Sequence, residues 1–371
     1  MKGLAICSKG IEDITALEIK ELINSKVEIK DSCVLFDIKR LEELCLLCYK
    51  AQSVDKILLL LGSFEFKSDL FEKIKEKIGR IGLDDWLDKK TFRVSSEIIN
   101  KDISSAEVNE SVGEILFEKF RNKVDLENPE LIFFVFINSN DCYLGIDFAG
   151  IELQKRQYKV LGHAAALRST IAYSLVRIAD YKEKEILLDA FAGSGTIPIE
   201  AALFTSKFPV NYYNKDKFAF LKIMKFDFNK EDKKTKEPAK PRISGYDSFL
   251  GCTTSAKKNA KIAGIEKFID FSRIEVEWLD TKTKKGKIDK IISNPPALSK
   301  NKNPKDIEKL YNEFFYQAEF ILNSKGKIAL ITYNNSLEPL KRAAEKNKFK
   351  IKEKRKVMHG KEERIVLIFT R

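Results

Sequence analysis

The sequence predicts an α/β protein with a Rossmann-like, doubly wound sheet in its C-terminal part and an α+β region before it. Three observations predict this fold. After Gly150, apolar runs of strand length alternate with amphipathic helices, which is typical of a parallel sheet. The first of these strands leads into a glycine-rich turn at the start of a helix. The fourth strand ends in Asn294-Pro295-Pro296, where an open sheet presents its ligand crevice.

The first 150 residues contain two successive α+β patterns. In the first pattern, strands at residues 4–6 and 33–36 alternate with helices at 11–22 and 41–49. The second pattern has strands at residues 57–61, 91–94, 131–137 and 142–148, and helices at 70–78 and 108–120. The residues between the last two strands, Asn138-Ser139-Asn140-Asp141, suit a hairpin loop.

The C-terminal part predicts seven strands, at residues 186–189, 242–246, 274–278, 288–293, 327–332, 349–354 and 364–369. Helices are predicted between them, for example at residues 196–204, 248–263 and 307–322. Residues 211–241 form an insertion rich in lysine and aromatic residues. An antiparallel-looking last strand, after the sixth, favours the methyltransferase variant of the Rossmann-like sheet.

The glycine-rich turn after the first strand predicts a cofactor site. Asp189 closes the strand, and the turn offers a close backbone approach and a helix N-terminus. An acidic residue at this point favours the cationic amino acid end of S-adenosylmethionine over a dinucleotide pyrophosphate. Pro198 also stands where a dinucleotide fingerprint has its third glycine. The predicted cofactor residues of the turn are Asp189, Phe191, Gly193, Ser194, Gly195 and Thr196.

Two further acidic residues follow the next strands. Asp247 ends the second strand, where a carboxylate can accept hydrogen bonds from ribose hydroxyls. Asp280 follows the predicted third strand and is a candidate acceptor for the adenine amino group. Taken singly, each acid could equally be a helix N-cap or a surface charge.

The Asn294-Pro295-Pro296 segment predicts the place where chemistry occurs. Two consecutive prolines remove two N–H donors and stiffen the backbone. The Asn294 amide and adjacent carbonyls then become fixed acceptors for an exocyclic amino group, and direct its nitrogen lone pair toward a sulfonium methyl group. The alternative is a rigid turn between strand and loop.

Charge favours a polyanionic partner. Lysine and arginine total 67 against 55 aspartate and glutamate, a formal net charge of +12. Between Lys341 and Arg364 there are 11 basic and 4 acidic residues, which contribute +7. Solvated helix faces in a lysine-rich protein would give the same excess.

Cysteine usage and hydropathy predict a cytoplasmic protein. No signal peptide is recognisable at Met1, and no apolar run approaches the ~18 residues of a membrane span. The six cysteines lie mostly within apolar segments, as reduced thiols do. Cys45 and Cys48 have metal-ligand spacing, but the chain has no second such pair and only two histidines. No metal site is predicted.

With these motifs in place, the chain resembles the class I N-methyltransferases of nucleic acids, and among them the THUMP-domain RNA guanine-N2 methyltransferases. Residues 162–172 are similar to the H-x-A-P-L-R helix start of that family, and Gly10-Ile11-Glu12 and Lys90–Val94 are similar to its ferredoxin-like and THUMP regions. The resemblance implies a ferredoxin-like domain at 1–56, a THUMP domain at 57–150, a linker at 151–165 and a Rossmann-like class I methyltransferase domain at 166–371.

The family's activity implies transfer of a methyl group from S-adenosylmethionine to guanine N2, most like the archaeal enzymes that act at position six of the tRNA acceptor stem. It implies Asn294, Pro295 and Pro296 as catalytic residues and Leu167 as a further cofactor residue. It also implies an RNA partner, with tRNA as the first candidate. We further expect a monomer, with no metal and no membrane association.

Two positions depart from the family pattern. Ala297 and Leu298 stand where an aromatic residue and a glycine are usual, so a base-stacking platform is missing there. Ala166 replaces a proline at the helix start. Three alternatives stay open: a 23S ribosomal RNA guanine-N2 methyltransferase, a DNA adenine methyltransferase, which the THUMP-like half disfavours, and a non-catalytic RNA-binding protein. The basic loop 300–305 is a further candidate RNA contact.

Overall fold

The computed structural model describes residues 1–87, 89–162, 166–237, 241–299 and 303–371, apart from the side chains of Asp84 and Asp85. The chain forms two compact units. The first unit comprises residues Met1–Cys7, Thr15–Leu153 and Asn211–Phe228. The second comprises Ser8–Ile14, Gln154–Val210 and Asn229–Arg371.

The N-terminal 150 residues contain one seven-stranded sheet with strand order β2-β3-β1-β4-β7-β6-β5. All neighbours are antiparallel except β5 and β6. The strands are β1 (Lys2–Ile6), β2 (Val27–Lys30), β3 (Cys33–Asp37), β4 (Lys56–Glu65), β5 (Phe92–Ile99), β6 (Leu131–Asn138) and β7 (Asp141–Asp147). The helices are α1 (Glu12–Ile23), α2 (Glu42–Lys50), α3 (Leu70–Arg80), α4 (Asp84–Leu87) and α5 (Ser105–Phe120).

The two predicted N-terminal patterns therefore share one sheet, because β1 of the first pattern pairs with β4 of the second. The predicted hairpin is confirmed: β6 and β7 pair from Asn138↔Asp141 onward, with Ser139 at φ 55°. The edge strand β2 was not predicted from the sequence. Its four residues alternate too briefly to stand out, and three of them are exposed.

Part of the aromatic insertion belongs to the first unit. The ring of Tyr49 packs edge-on against Phe218, Phe226 and Phe228, with centroid distances of 6.5, 6.4 and 4.9 Å. Asn211 fixes the start of this segment, since its side-chain Nδ2 donates to the Cys48 carbonyl at 2.9 Å. The aromatic residues of the insertion thus complete the hydrophobic core of the N-terminal sheet.

The second unit contains a seven-stranded sheet with strand order β10-β9-β8-β11-β12-β14-β13. The strands are β8 (Leu187–Asp189), β9 (Ile243–Asp247), β10 (Ile269–Arg273), β11 (Ile288–Ser293), β12 (Leu322–Thr332), β13 (Lys350–His359) and β14 (Glu362–Thr370). The helices that follow α5 are α6 (Ser169–Ile178), α7 (Thr196–Ser206), α8 (Phe228–Asp232), α9 (Leu250–Ile262), α10 (Leu279–Lys282), α11 (Pro304–Ile321) and α12 (Leu337–Lys346). Strands β8 to β12 are parallel, and β14 is antiparallel to both β12 and β13, as the sequence predicts for the last strand.

The predicted third strand at residues 274–278 was wrong. The strand is β10, which pairs in parallel with β9 from Ile269↔Ile243 to Arg273↔Asp247. Residues Val276–Trp278 form a 3-10 turn after it. Both segments alternate apolar and polar residues, so periodicity could not separate them. Burial does not separate them either, because Ile269 and Phe271 are buried and so is Val276.

The cysteines are free thiols, and five of the six are buried. Burial raises the pKa of Cys45 to about 12, and its Sγ lies 3.6 Å from the Met224 Sδ. Cys45 and Cys48 therefore serve as small apolar core residues. Within the described ranges, no three or more His, Cys, Asp or Glu residues are grouped so as to hold a metal ion. None of the described helices is both long and apolar enough to span a bilayer.

Candidate active site

A cleft of about 1080 Å³ opens in the second unit at the carboxyl ends of β8, β9 and β11. This edge is the topological switch point of the sheet, because β9 lies on one side of β8 and β11 lies on the other. Ten predicted site residues line the cleft: Leu167, Asp189, Phe191, Gly193, Ser194, Thr196, Asp247, Asn294, Pro295 and Pro296. Gly195 and Asp280 are not among the lining residues.

Gly195 shapes the turn that the cofactor residues occupy. Its φ of +85° lies in the left-handed region, and its N–H donates to the Ala192 carbonyl at 2.8 Å. A Cβ at this position would lie 2.9 Å from the Ala256 Cβ and 3.0 Å from the Phe271 ring. The glycine therefore allows the turn to pack against α9 and β10, and α7 begins at the next residue.

Asp189 is a buried carboxylate at the wall of the cleft, with 1% of its surface exposed. Its Oδ1 accepts from the Ser293 hydroxyl at 2.7 Å and from the Phe191 N–H at 3.1 Å. Burial raises the pKa of Asp189 to about 7, and the Asp247 charge adds to the shift. No cation among the described residues offsets this burial. The site therefore fits the ammonium group of S-adenosylmethionine, which would supply the missing positive charge.

Cofactor affinity should consequently depend on pH through Asp189. A bound ammonium favours the ionised carboxylate and lowers its pKa in the complex, so affinity is full above about pH 7. As pH falls below about 7, the free protein takes up a proton that binding must release. The dissociation constant of S-adenosylhomocysteine, measured by calorimetry, should then rise by up to about tenfold per pH unit. Asp189→Asn should bind weakly with a flat profile, and a wild-type profile that is equally flat would contradict this assignment.

Asp247, at the end of β9, is hydrogen-bonded to the glycine-rich turn. Its Oδ2 accepts from the Gly193 N–H and its Oδ1 from the Phe249 N–H, both at 2.9 Å. Each oxygen keeps a lone pair for a ribose hydroxyl. Phe249 also lines the cleft and is 71% exposed, so it offers an apolar face beside that position. Sequence reasoning missed Phe249, although it stands only two residues beyond the acid.

Asp280 does not lie where its predicted role requires. It belongs to α10, its side chain is exposed, and its N–H donates to the Gln317 Oε1 at 3.1 Å. Because β10 ends at Arg273, the residues that follow the third strand into the cleft are Ile274–Glu277. Glu275 is therefore the acidic residue closest in sequence to the carboxyl end of this strand that lines the cleft.

The loop after β11 lines the cleft beside the turn that follows β8, and hydrogen bonds hold it in place. The Tyr311 hydroxyl donates to the Pro296 carbonyl at 2.6 Å. The Leu298 N–H donates to the Ser336 Oγ at 2.9 Å, and the Asn335 Nδ2 donates to the Leu298 carbonyl at 3.0 Å. Asn294 is half-buried at the start of this loop. Together with the two prolines, these bonds fix the acceptors that the segment presents to the cleft.

Tyr333 and Arg364 complete this wall, and sequence reasoning missed both as site residues. Tyr333 follows the carboxyl end of β12, whereas Arg364 lies near the start of the antiparallel β14. Thr332 pairs with Ile365, so the two residues next to them meet at the cleft edge. An antiparallel strand begins where its parallel neighbours end, and this rule could have directed attention to Arg364.

The segment before α6 forms the remaining wall. The Arg168 N–H donates to the His359 Nε2 at 2.8 Å, and the Lys159 Nζ donates to the Leu167 carbonyl at 2.6 Å. Of the family-like segment, residues 163–165 lie outside the described part of the chain. Ala166 precedes α6 by three residues, so the usual proline would stand before the first helical turn and not within it.

Stability should respond to the protonation of His359. Burial, together with the charges of Arg364 and Arg168, lowers the pKa of this imidazole to about 4. The His359 Nε2 accepts a hydrogen bond from the Arg168 N–H, so this nitrogen must be unprotonated and the imidazole neutral. In the unfolded chain the pKa of His359 is near its ordinary value of about 6.5. The contribution of neutral His359 to the free energy of unfolding is therefore complete above that pH and is lost as pH falls toward about 4.

His359→Gln removes this titration. The midpoint of urea unfolding, measured across this pH range, should fall more steeply for wild type than for the variant on acidification. Parallel midpoint profiles for the two proteins would show that His359 is not the titrating group.

The strand order, the acidic residues that close β8 and β9, and the rigid Asn-Pro-Pro loop define a class I methyltransferase with S-adenosylmethionine as its cofactor. The chain belongs to the family of RMKL-like methyltransferases, whose methyltransferase domain model matches residues 156–365. A THUMP domain model matches residues 69–147.

The chain is similar to two archaeal proteins named tRNA (guanine(6)-N2)-methyltransferase. The protein from Methanocaldococcus jannaschii is 30% identical over 370 residues, which cover 95% of each chain. The protein from Archaeoglobus fulgidus is 28% identical and the match covers 88% of this chain and 82% of the relative. The crystal structure of a possible methylase from Clostridium difficile 630 has the same fold, with a TM-score of 0.84 and 24% identity, over 100% of this chain and 97% of that one.

Proposed function

We propose that this protein transfers a methyl group from S-adenosylmethionine to the exocyclic N2 of a guanine in the acceptor stem of tRNA. The observation that carries the proposal is the Asn294-Pro295-Pro296 loop, which lines the same cleft as Asp189 and follows β11, the strand next to β8. The names of the two archaeal relatives support guanine N2 and tRNA as the target.

The cofactor would be held by the turn between β8 and α7. Asp189 would pair with its ammonium group, Asp247 would accept from its ribose hydroxyls, and Phe249 would cover one face of its adenine. Ser194 and Thr196 line the cleft at the N-terminus of α7, where free N–H groups suit its carboxylate. When bound, S-adenosylmethionine supplies an electrophilic methyl group on a sulfonium.

The target amino group would be held by Asn294 and the adjacent carbonyls. Hydrogen bonds from the N2 protons to these acceptors keep the amino group in one orientation and increase the electron density on its nitrogen. Tyr311, Ser336 and Asn335 keep the loop from yielding when the base enters. Pro295 and Pro296 leave few competing donors in the loop. Catalysis in this arrangement is mainly positioning: N2 would bond to the methyl carbon as the sulfur–methyl bond breaks, S-adenosylhomocysteine would leave, and the acidic proton of the methylated amino group would pass to water without a strong base.

The remaining parts of the chain fit an RNA substrate. The THUMP domain within the first unit is proposed to bind tRNA, while the target guanine leaves its stem to reach the cleft. Lysines along the exposed face of β13 add positive charge to the second unit. We further propose a ferredoxin-like domain at 1–56 and a THUMP domain at 57–150 that share one sheet, a linker at 151–165, and a methyltransferase domain at 166–371 whose insertion 211–228 belongs to the first unit. We also propose a monomeric protein that acts in the cytoplasm.

The class of RNA can be tested with labelled S-adenosylmethionine and total RNA separated by size. Label in the tRNA fraction, and none in large ribosomal RNA, is expected. Label confined to ribosomal RNA would replace the proposed substrate with the ribosomal alternative. Binding of S-adenosylhomocysteine without transfer to any RNA would indicate an RNA-binding protein that has kept its cofactor cleft.

A further inference from the structure

Arg364 is an unusual group in the wall of the cleft. Only 6% of its surface is exposed, yet it carries a permanent charge. Its Nη2 donates to the Tyr333 hydroxyl and, at 3.2 Å, to Glu362. Its Nε is buried and has no hydrogen-bond partner among the described residues. Arg364 nevertheless lines the cleft, and the donors of its guanidinium are not all used by hydrogen bonds within the described residues.

Tyr333 keeps the guanidinium in place. The Arg364 Cζ lies 3.3 Å from the centre of the Tyr333 ring, so the cation is stacked on the aromatic face. The neighbouring pair Thr332↔Ile365 fixes both residues in the register of β12 and β14. The fork of N–H donors therefore has one orientation before any ligand arrives, which reduces the entropy lost on binding.

The ligand of the cleft, under the proposed function, is a guanine, and this inference rests on that proposal. Guanine presents two acceptors on one side, O6 and N7, and arginine donates to this pair more often than to any other base edge. Adenine presents a donor at N6 instead, so the same arginine would repel it. We propose that Arg364 selects guanine by donating to the O6 side of the flipped base while Asn294 holds its N2 amino group.

This assignment also accounts for the missing aromatic residue after Pro296. Ala297 lines the cleft and offers no stacking surface. The Arg364–Tyr333 pair, on β14 and the end of β12, supplies recognition from the same wall of the cleft as the loop after β11. Base identity is then set by hydrogen bonding and not by stacking after the two prolines.

The test uses the RNA that wild-type protein methylates, with the mapped target nucleotide as guanosine or 2-aminopurine riboside. 2-Aminopurine keeps the amino group that receives the methyl group but lacks O6. We expect kcat/KM of wild type to fall on the order of 10- to 100-fold on 2-aminopurine RNA. Arg364→Met should lose a similar factor on guanosine RNA and little more on 2-aminopurine RNA.

Arg177→Met is the matched control, because Arg177 also donates to a tyrosine hydroxyl, that of Tyr173, at 2.6 Å, outside the cleft lining. It should discriminate as wild type does. If Arg364→Met fails to fold, Arg364→Lys keeps the charge without the fork and should discriminate several-fold less than wild type.

Equal losses for the Arg364 variants on both RNAs would overturn the inference and leave the proposed function standing. Failure of wild type to methylate any guanosine RNA would overturn the proposed function itself, and with it this inference.

Discussion

Asn294→Ala is expected to abolish most methyl transfer while cofactor binding persists. The half-buried Asn294 begins the rigid loop at the cleft, and its amide is the proposed acceptor for the target amino group. Removing one preorganised polar group from a reaction centre costs about 10²- to 10³-fold in kcat. Single-turnover transfer of labelled methyl to tRNA, with saturating cofactor, should show a loss of this size.

Asn294→Asp separates this role from a structural one. It keeps a side-chain acceptor at the same place and should recover a large part of the lost rate. Calorimetry should give all three proteins similar affinity for S-adenosylhomocysteine, since the cofactor residues follow β8 and β9. An alanine variant with the rate of wild type would remove Asn294 from the mechanism.

Glu200→Ala is expected to destabilise the second unit by about 3–5 kcal/mol, because it leaves a buried cation without its carboxylate. The Arg156 Nε donates to Glu200 at 3.1 Å, and both side chains are fully buried at 0% exposure. The Tyr158 hydroxyl also donates to Glu200, at 2.8 Å. The free energy of unfolding from urea titration is the measurement.

The combined variant Arg156→Met and Glu200→Leu should be more stable than Glu200→Ala, since replacing both ions by apolar groups removes the buried charges. Lys348→Ala is the matched surface control. Its pair with Glu319 at 2.6 Å is 78% exposed on the lysine side, and such pairs contribute about 0–1 kcal/mol. Equal losses for Glu200→Ala and Lys348→Ala would show that burial of the ion pair adds nothing to stability.

The sequence was sufficient to place Asp189, Asp247 and Asn294 at one edge of the sheet. Each follows a strand with a clear apolar pattern, and the carboxyl ends of parallel strands meet at one edge. The third strand was ambiguous, because two adjacent segments alternate equally well. The acidic residue after this strand was therefore predicted at Asp280, whereas Glu275 is the one that lines the cleft.

Other features depend on tertiary contacts that no local pattern carries. Arg156 and Glu200 are separated by 44 residues, and nothing near either one signals an ion pair. In the sequence, Arg364 is one of many cations in a basic stretch. Only the register of β14 shows that it lies beside Tyr333. The aromatic residues of the insertion indicate burial, but they do not indicate which of the two cores they fill.

The most direct test of the proposed function is the identity of the methylated nucleoside. Purified protein, S-adenosylmethionine and unmodified tRNA are incubated, the RNA is digested, and its nucleosides are resolved by mass spectrometry. We predict N2-methylguanosine as the product, formed by wild type and reduced in proportion to the lost rate in Asn294→Ala. N6-methyladenosine, or a methyl group on any other atom of guanine, would contradict the proposed function.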